Sequence, residues 1–224
     1  MEIPPLPTTV VLHLPSVTQH IRRRPDQLYV WVFYLYRTTY HNQALWKRYV
    51  TYSRECMLGD ISYDANATYI RPYYRLSIIK DAELDGMSIW NVMLRFQSWV
   101  GGLSHSADPE QEIPILEKRD HSRFGYCLIV DDDCLRSFEA QTGKPAINSV
   151  YIKSVDCRPF ASHSSGEEDD DSGSSTHDQE DEDSSWMLVS CNFVCSLYDM
   201  LDSGFEWERQ SRSVRYPKKR PWDG

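Results

Sequence analysis

Residues 28–36 read LYVWVFYLY, an unbroken run of nine apolar side chains rich in valine and aromatic residues. The length and composition of this run are typical of a β-strand that is buried on both faces. It is the longest apolar run of the chain and spans about half of the roughly 20 residues that a membrane-crossing helix needs. The sequence therefore predicts a doubly covered strand here and no transmembrane segment.

Two amphipathic helices follow this run. Asn42 precedes the first, and Gly59 is expected to end it. The second, with Ser88 as its N-cap and Gly101 after its last turn, has the clearest 3.6-residue period of the chain. The inward positions expected are Leu45, Tyr49, Tyr52 and Cys56 in the first helix, and Ile89, Val92, Met93, Phe96, Trp99 and Val100 in the second.

Four more strands are expected from short apolar or alternating stretches. They lie at residues 73–79, with one solvated face, and at 126–130, 147–155 and 186–190. A short helix is predicted over residues 134–141, and another begins at Asn192 as its cap. The order β-α-β-α-β-α-β-loop-β-α predicts a single domain of the α+β or mixed α/β class, with about five strands and four helices.

The acidity of the chain is concentrated in one segment. Of the 33 acidic residues, ten lie between residues 162 and 185, a stretch without lysine, arginine or apolar side chains. The remaining 23 acidic residues are balanced by 24 basic ones, although the formal net charge of the chain is −9. A segment of serine, glycine and carboxylates cannot bury enough apolar surface to offset its ordering entropy, so we expect it to be a disordered insert.

The composition divides the chain into four parts. Residues 1–26 are an irregular proline-rich arm, 27–161 and 186–204 form one globular domain, 162–185 are the acidic insert, and 205–224 are a basic, aromatic-containing tail. The insert is either a solvated spacer, a docking surface for a basic partner, a phosphorylation switch or a weak cation site. The side chains expected to bind are Glu167, Glu168, Asp169, Asp170, Asp171, Asp181, Glu182, Asp183, Lys218, Lys219 and Arg220.

The amino terminus lacks the basic and apolar regions of a secretory signal, which predicts a cytoplasmic protein. Basic groups at residues 22–24 and 218–220 are compatible with nuclear import. Six cysteines lie mostly inside apolar runs and lack the spacing of metal ligands, so we expect reduced core thiols. We expect neither a metal nor another cofactor.

One motif supports an enzymatic alternative. Residues 127–130 are apolar and lead into Asp131, Asp132 and Asp133. The Asp131-x-Asp133 spacing is similar to the first motif of haloacid-dehalogenase-type phosphatases, in which the first aspartate attacks phosphorus, the second acts as acid and base, and carboxylates hold Mg²⁺. Leu135, however, replaces the hydroxyl residue usual after the second aspartate. The structural alternative is that Asp131 or Asp132 caps the next helix.

Several of these segments together resemble a group of uncharacterised proteins of filamentous fungi. They are the DAELDG turn at 81–86, the aromatic helix that ends in Trp99, the DDDCLRS stretch at 131–137, the acidic tract and the basic tail with Trp207. The resemblance covers about residues 28–224. It implies a fungal source and transfers no catalytic residue.

The sequence therefore favours a non-catalytic protein that binds a protein partner through its insert and tail. Nucleic-acid binding is not expected, because a neutral body with an acidic insert offers no net attraction to phosphates. The insert and the tail carry opposite charge, which predicts an intramolecular contact between them. The alternative is a Mg²⁺-dependent phosphoryl-transfer enzyme that uses Asp131 and Asp133.

Overall fold

A computed structural model describes residues 32–62, 71–102, 122–141, 150–158, 185–202 and 207. Within these ranges the chain forms five strands and five helices. The strands are β1 (Tyr34–Arg37), β2 (Ser77–Ile79), β3 (Tyr126–Val130), β4 (Tyr151–Asp156) and β5 (Trp186–Ser190). The helices are α1 (Gln43–Ser62), α2 (Ile89–Gly102), α3 (Ser122–Gly125), α4 (Asp132–Glu139) and α5 (Val194–Asp202).

The strands form one mixed sheet in the order β2-β1-β3-β4-β5. Strand β1 is parallel to both β2 and β3, whereas β4 is antiparallel to β3 and β5. The chain leaves β1 toward one edge of the sheet and returns to its other side at β3, so the strand order reverses at β1. This architecture confirms the predicted mixed α/β class and the single domain.

Strand β1 contributes to two cores, as its unbroken apolar sequence predicts. Phe33 and Leu35 pack with side chains of α1, α4 and α5 on one face of the sheet. Tyr34 and Tyr36 pack on the other face, where α2 presents Val92, Met93 and Phe96. Because both faces are covered by helices, a strand without a polar face is the stable solution at this position.

The beginning of β1 differs from the prediction. Residues 28–31 lie outside the described residues, and the ladder begins only at Tyr34. Val32 has a φ of 83°, in the left-handed region that a β-branched residue rarely occupies. Such a conformation costs on the order of 1–3 kcal/mol and persists where surrounding contacts stabilise it. Arg123 supplies one such contact by donating to the carbonyl oxygen of Val32.

Helix α1 confirms one predicted end and contradicts the other. The Asn42 side chain accepts from the amide of Leu45 at 2.9 Å, as a capping residue does. The helix continues through Gly59 to Ser62, so the prediction that Gly59 ends it is wrong. Ile61 is buried in the core, and its burial favours the extra turn despite the low helix propensity of glycine. The fully buried stripe runs through Tyr49, Ser53 and Met57, while Tyr52 and Cys56 are only partly buried.

The cap predicted for α5 is also corrected. Asn192 lies inside a 3-10 turn, Cys191–Phe193, whose N-cap is Ser190. The first turn of α5 is instead capped from α1: Asp60 accepts hydrogen bonds from the amide of Ser196 at 2.9 Å and from its hydroxyl at 3.0 Å. The inward positions predicted for this helix are buried, namely Val194, Leu197, Tyr198 and Leu201.

The remaining elements differ from the predictions at their ends: α2 continues through Gly101 to Gly102, so the prediction that Gly101 ends it is wrong, and α4 spans Asp132–Glu139 instead of 134–141. The Ser88 hydroxyl accepts from the amide of Asn91 at 3.2 Å and so caps α2. Strand β2 is shorter than the predicted 73–79: it begins at Ser77, and Tyr73 belongs to a 3-10 turn over residues 71–73. The arm, the insert, residues 103–121 and 142–149, and the tail apart from Trp207 lie outside the described residues. Trp207 is buried and stacks on Tyr126, with ring centroids 5.3 Å apart.

No helix of the described ranges combines the length and the apolar character that are needed to cross a bilayer.

Candidate functional site at the carboxyl edge of the sheet

Polar side chains meet where β1 and β3 end. The two strands are parallel neighbours, so their carboxyl ends lie at the same edge. Thr38 and Thr39 follow β1, and residues 131–133 follow β3; the amide of Thr38 donates to the carbonyl of Val130 at 3.0 Å. In sheets of this kind, ligands bind outside the carboxyl ends of strands at the point where the strand order reverses. This edge therefore has the position at which such sheets bind ligands.

Asp131 is the N-cap of α4, which confirms the capping interpretation. One carboxylate oxygen accepts from the amide of Cys134 at 3.1 Å. The other forms an ion pair with Nζ of Lys153. Both oxygens of the first aspartate in the motif thus have protein partners.

Lys153 projects from β4 toward the same edge and is 8% exposed. Its Nζ lies 3.7 Å from Oδ2 of Asp133 and 5.2 Å from the ring centroid of Trp186. Burial acts to lower the pKa of Lys153, but the combined attraction of Asp131 and Asp133 outweighs it, so the pKa is raised above its usual value. Lys153 is therefore a fixed positive charge between two carboxylates.

Asp132 contacts a second pair of residues. Its Oδ1 accepts from the hydroxyl of Thr39 and lies 3.3 Å from Nδ1 of His41. The same Nδ1 is 3.1 Å from the Thr39 hydroxyl oxygen. A nucleophile–base relay needs the carboxylate on the opposite ring nitrogen, where it would orient the base. Because Asp132 and Thr39 both contact the same ring nitrogen of His41, this group is a hydrogen-bond cluster and lacks that relay geometry.

Asp133 is bound by two cations, Lys153 and Arg136. Asp131 and Asp133 therefore share the Lys153 ammonium, whereas Asp132 contacts Thr39 and His41 instead. Among the described residues, no three His, Cys, Asp or Glu side chains form a group that could hold a metal ion.

Arg37, the last residue of β1, was missed by the sequence interpretation and is the least expected feature of this edge. The side chain is 3% exposed, and its guanidinium lies 4.2 Å from the ring centroid of Tyr40 and 4.5 Å from that of Trp46. Its Nε donates to the Thr39 carbonyl at 2.6 Å, and Nη1 donates to Oε1 of Gln43 at 2.7 Å. Its sequence signal was an arginine directly after an apolar strand run.

The cysteines behave as core thiols. All six are free, and all but Cys56 are buried. Burial raises the pKa of Cys191 to about 12 and holds those of Cys134, Cys157 and Cys195 well above the usual thiol value. Since the thiolate is the reactive form, these side chains are poor nucleophiles and poor metal ligands at neutral pH.

The predicted binding side chains of the insert and tail lie outside the described residues. They are Glu167, Glu168, Asp169, Asp170, Asp171, Asp181, Glu182, Asp183, Lys218, Lys219 and Arg220. No family model, no curated protein and no solved structure matches this chain.

Proposed function

We propose that this protein acts by binding a protein partner and that its aspartate triplet is structural. The observation that carries the proposal is the engagement of Asp131, whose two carboxylate oxygens contact the Cys134 amide and Lys153. Each oxygen keeps a second lone pair, but the two contacts fix the carboxylate in its capping position. Turning it toward a phosphate would break the ion pair with Lys153 or the cap of α4, and breaking a buried pair costs roughly 3–5 kcal/mol.

The contact surfaces of this proposal are the acidic insert and the basic tail. The insert carries ten carboxylates without a compensating cation, so it attracts a basic partner through long-range electrostatics. The tail, with Lys218, Lys219 and Arg220, competes for the insert within the same chain. The partner and the tail then compete for the insert and exclude each other. The protein acts in the cytoplasm, or in the nucleus if the basic groups direct import.

The binding proposal is tested with a labelled lysine-rich peptide and fluorescence anisotropy. We expect the full chain to bind the peptide and binding to weaken as salt rises from 50 to 300 mM, in the range where charge pairs are screened (roughly 14 to 6 Å Debye length). A chain without residues 165–183 should lose this binding. The matched control keeps the length and replaces the ten carboxylates of the insert by their amides; it should behave like the deletion. Equal binding by all three chains would contradict the proposal.

The enzymatic alternative is tested separately with a general phosphate ester and Mg²⁺. We expect the wild-type chain and Asp131→Asn to show the same background hydrolysis. Asp85→Asn, which removes an exposed carboxylate from the turn before α2, is the matched control. Hydrolysis that is lost in Asp131→Asn and kept in Asp85→Asn would replace the binding proposal by phosphoryl transfer.

A further inference from the structure

Arg37 is a cation that is buried at the end of β1. Among the described residues, no Asp or Glu lies within ion-pair distance of its guanidinium, and its Nη2 has no hydrogen-bond partner. Buried charges are ordinarily paired, because an unpaired one retains its full desolvation cost. Burial disfavours the charged form of Arg37 and so lowers its pKa. Tyr40 and Asp85 act in the opposite direction but do not outweigh burial.

The contacts of Arg37 leave one end of the guanidinium incompletely bound. Tyr40 and Trp46 pack against the guanidinium, and the Thr39 carbonyl accepts from Nε. At the end formed by Nη1 and Nη2, the acceptor among the described residues is the neutral amide oxygen of Gln43. Gln43 is exposed, so the side chain that accepts from Nη1 is able to move aside.

The same end lies against the first turn of α1, a helix of 20 residues. Asn42 caps the amide of Leu45, whereas the amides of Gln43 and Ala44 precede the first intrahelical bonds. The amino end of a long helix carries partial positive charge and attracts anions. The unpaired nitrogen of Arg37 and this helix end thus favour the same kind of ligand group.

We propose that Arg37 and the amino end of α1 form a carboxylate-binding site, in which a ligand carboxylate displaces the Gln43 amide and accepts from Nη1 and Nη2 together. Two parallel N–H···O bonds are the strongest arrangement between arginine and a carboxylate. A carboxylate fits better than a phosphate, because Asp132, held through Thr39, lies at the same edge and repels a doubly charged group more strongly. None of the groups named for this site belongs to the insert or the tail.

The test measures thermal unfolding of the full chain as sodium formate replaces sodium chloride at constant ionic strength. We expect formate to stabilise the wild type along a saturable curve. At ten times the dissociation constant, the folding equilibrium constant should rise about 11-fold over that in chloride. Gln43→Ala removes the competing amide, so its response should appear at lower formate concentration.

Gln43→Glu is the decisive variant, because it supplies an internal carboxylate at the position of the Gln43 oxygen. We expect it to unfold at a higher temperature in chloride and to lose the response to formate. Gln97→Glu adds the same charge on α2, away from Arg37, and should keep the wild-type response.

Two results would overturn the proposal. One is that neither the wild type nor Gln43→Ala is more stable in formate than in chloride. The other is a formate response of the same size in all four chains, which would be a general solvent effect. Inorganic phosphate that stabilises the wild type more than formate, but leaves Gln43→Glu unchanged, would reject the carboxylate assignment. A tetraglutamate peptide identifies the source: a response at lower concentration than formate indicates acidic side chains, and an equal response per carboxylate indicates a free small acid.

Discussion

Lys153 on β4 and Asp131 at the start of α4 form an ion pair across the carboxyl edge of the sheet, 22 positions apart in the chain. The contact joins an antiparallel strand to a helix that follows a parallel one. It also explains why a strand buried along most of its length contains a lysine, since the ammonium lies where β4 meets the carboxylates that follow β3. The pair therefore links strand β4 to the first turn of α4.

Replacing Asp131 should separate its two structural roles. Asp131→Ala removes the cap and leaves Lys153 without its first partner, so we expect the free energy of unfolding to fall by about 3 kcal/mol. Asp131→Asn keeps a good capping side chain and should lose less. Urea denaturation measures both, with Glu139→Ala at the exposed end of α4 as the control. Equal losses in the alanine and asparagine variants would show that the cap contributes nothing.

Arg123 should be among the most important polar residues for stability. It is 1% exposed, donates to the Val32 carbonyl and to the Ser77 hydroxyl at 3.1 Å, and lies 4.1 Å from the ring centroid of Tyr34. We expect Arg123→Met to lower the free energy of unfolding by roughly 3 kcal/mol, because buried acceptors lose a charged donor.

The matched control for Arg123 is Arg95→Met. Arg95 pairs with Asp81 and Glu83 at the surface, and exposed pairs contribute about 0–1 kcal/mol. Denaturant unfolding of the two variants side by side measures the difference. A loss of similar size in both would contradict the structural role assigned to Arg123.

The contact between α1 and α5 should contribute a measurable cap. Asp60→Ala removes the acceptor of the Ser196 amide and hydroxyl, so we expect a loss of about 1–2 kcal/mol. Asp60→Asn should retain most of the cap. A double-mutant cycle with Ser196→Ala tests the assignment, since a coupling energy of zero between the two positions would mean that the hydrogen bond to the Ser196 hydroxyl has no effect on stability.

Alkaline pH should destabilise the protein through its buried thiols. The pKa of Cys191 is raised from an ordinary value of 9.0 to about 12, so the folded state keeps a proton that the unfolded state releases. This contribution to stability is fully present below about pH 9 and is lost as the pH rises toward 12.

We expect Cys191→Ala to be less stable than the wild type at pH 7. Between pH 9 and 12, however, its free energy of unfolding should fall less steeply with pH, because its unfolding releases up to one proton fewer. Unfolding in urea at a series of pH values measures the slope. Cys56→Ala, at a partly buried position, is the control and should change the slope less. Parallel curves for wild type and Cys191→Ala would refute the assignment.

Features that depend on near neighbours were predictable from the sequence. Strand β3 has the predicted bounds, and Asn42, Ser88 and Asp131 cap the helices that follow them. Each cap is a hydrogen bond between residues within four positions of each other. Strand β3 is a short, continuous apolar run, a pattern that is typical of a buried strand.

Features that depend on residues distant in the chain were not predictable from the sequence. Gly59 does not end α1, because the burial of Ile61 in the core stabilises another turn. The predicted cap Asn192 is replaced by Asp60, which lies 136 positions before its partner Ser196. No local pattern encodes which distant carboxylate reaches a helix end.

The amino-acid order alone thus determined the class of the fold, because an apolar run without a polar face must be covered on both sides and its neighbours alternate between helix and strand periods. The packing of the chain in three dimensions decided the chemistry of the carboxyl edge. There it placed Lys153 between Asp131 and Asp133 and buried Arg37 against two aromatic rings. The physical reason is that the protonation and pairing of a charged group depend on its burial and on the charges within a few ångströms, which are properties of the folded arrangement rather than of sequence spacing.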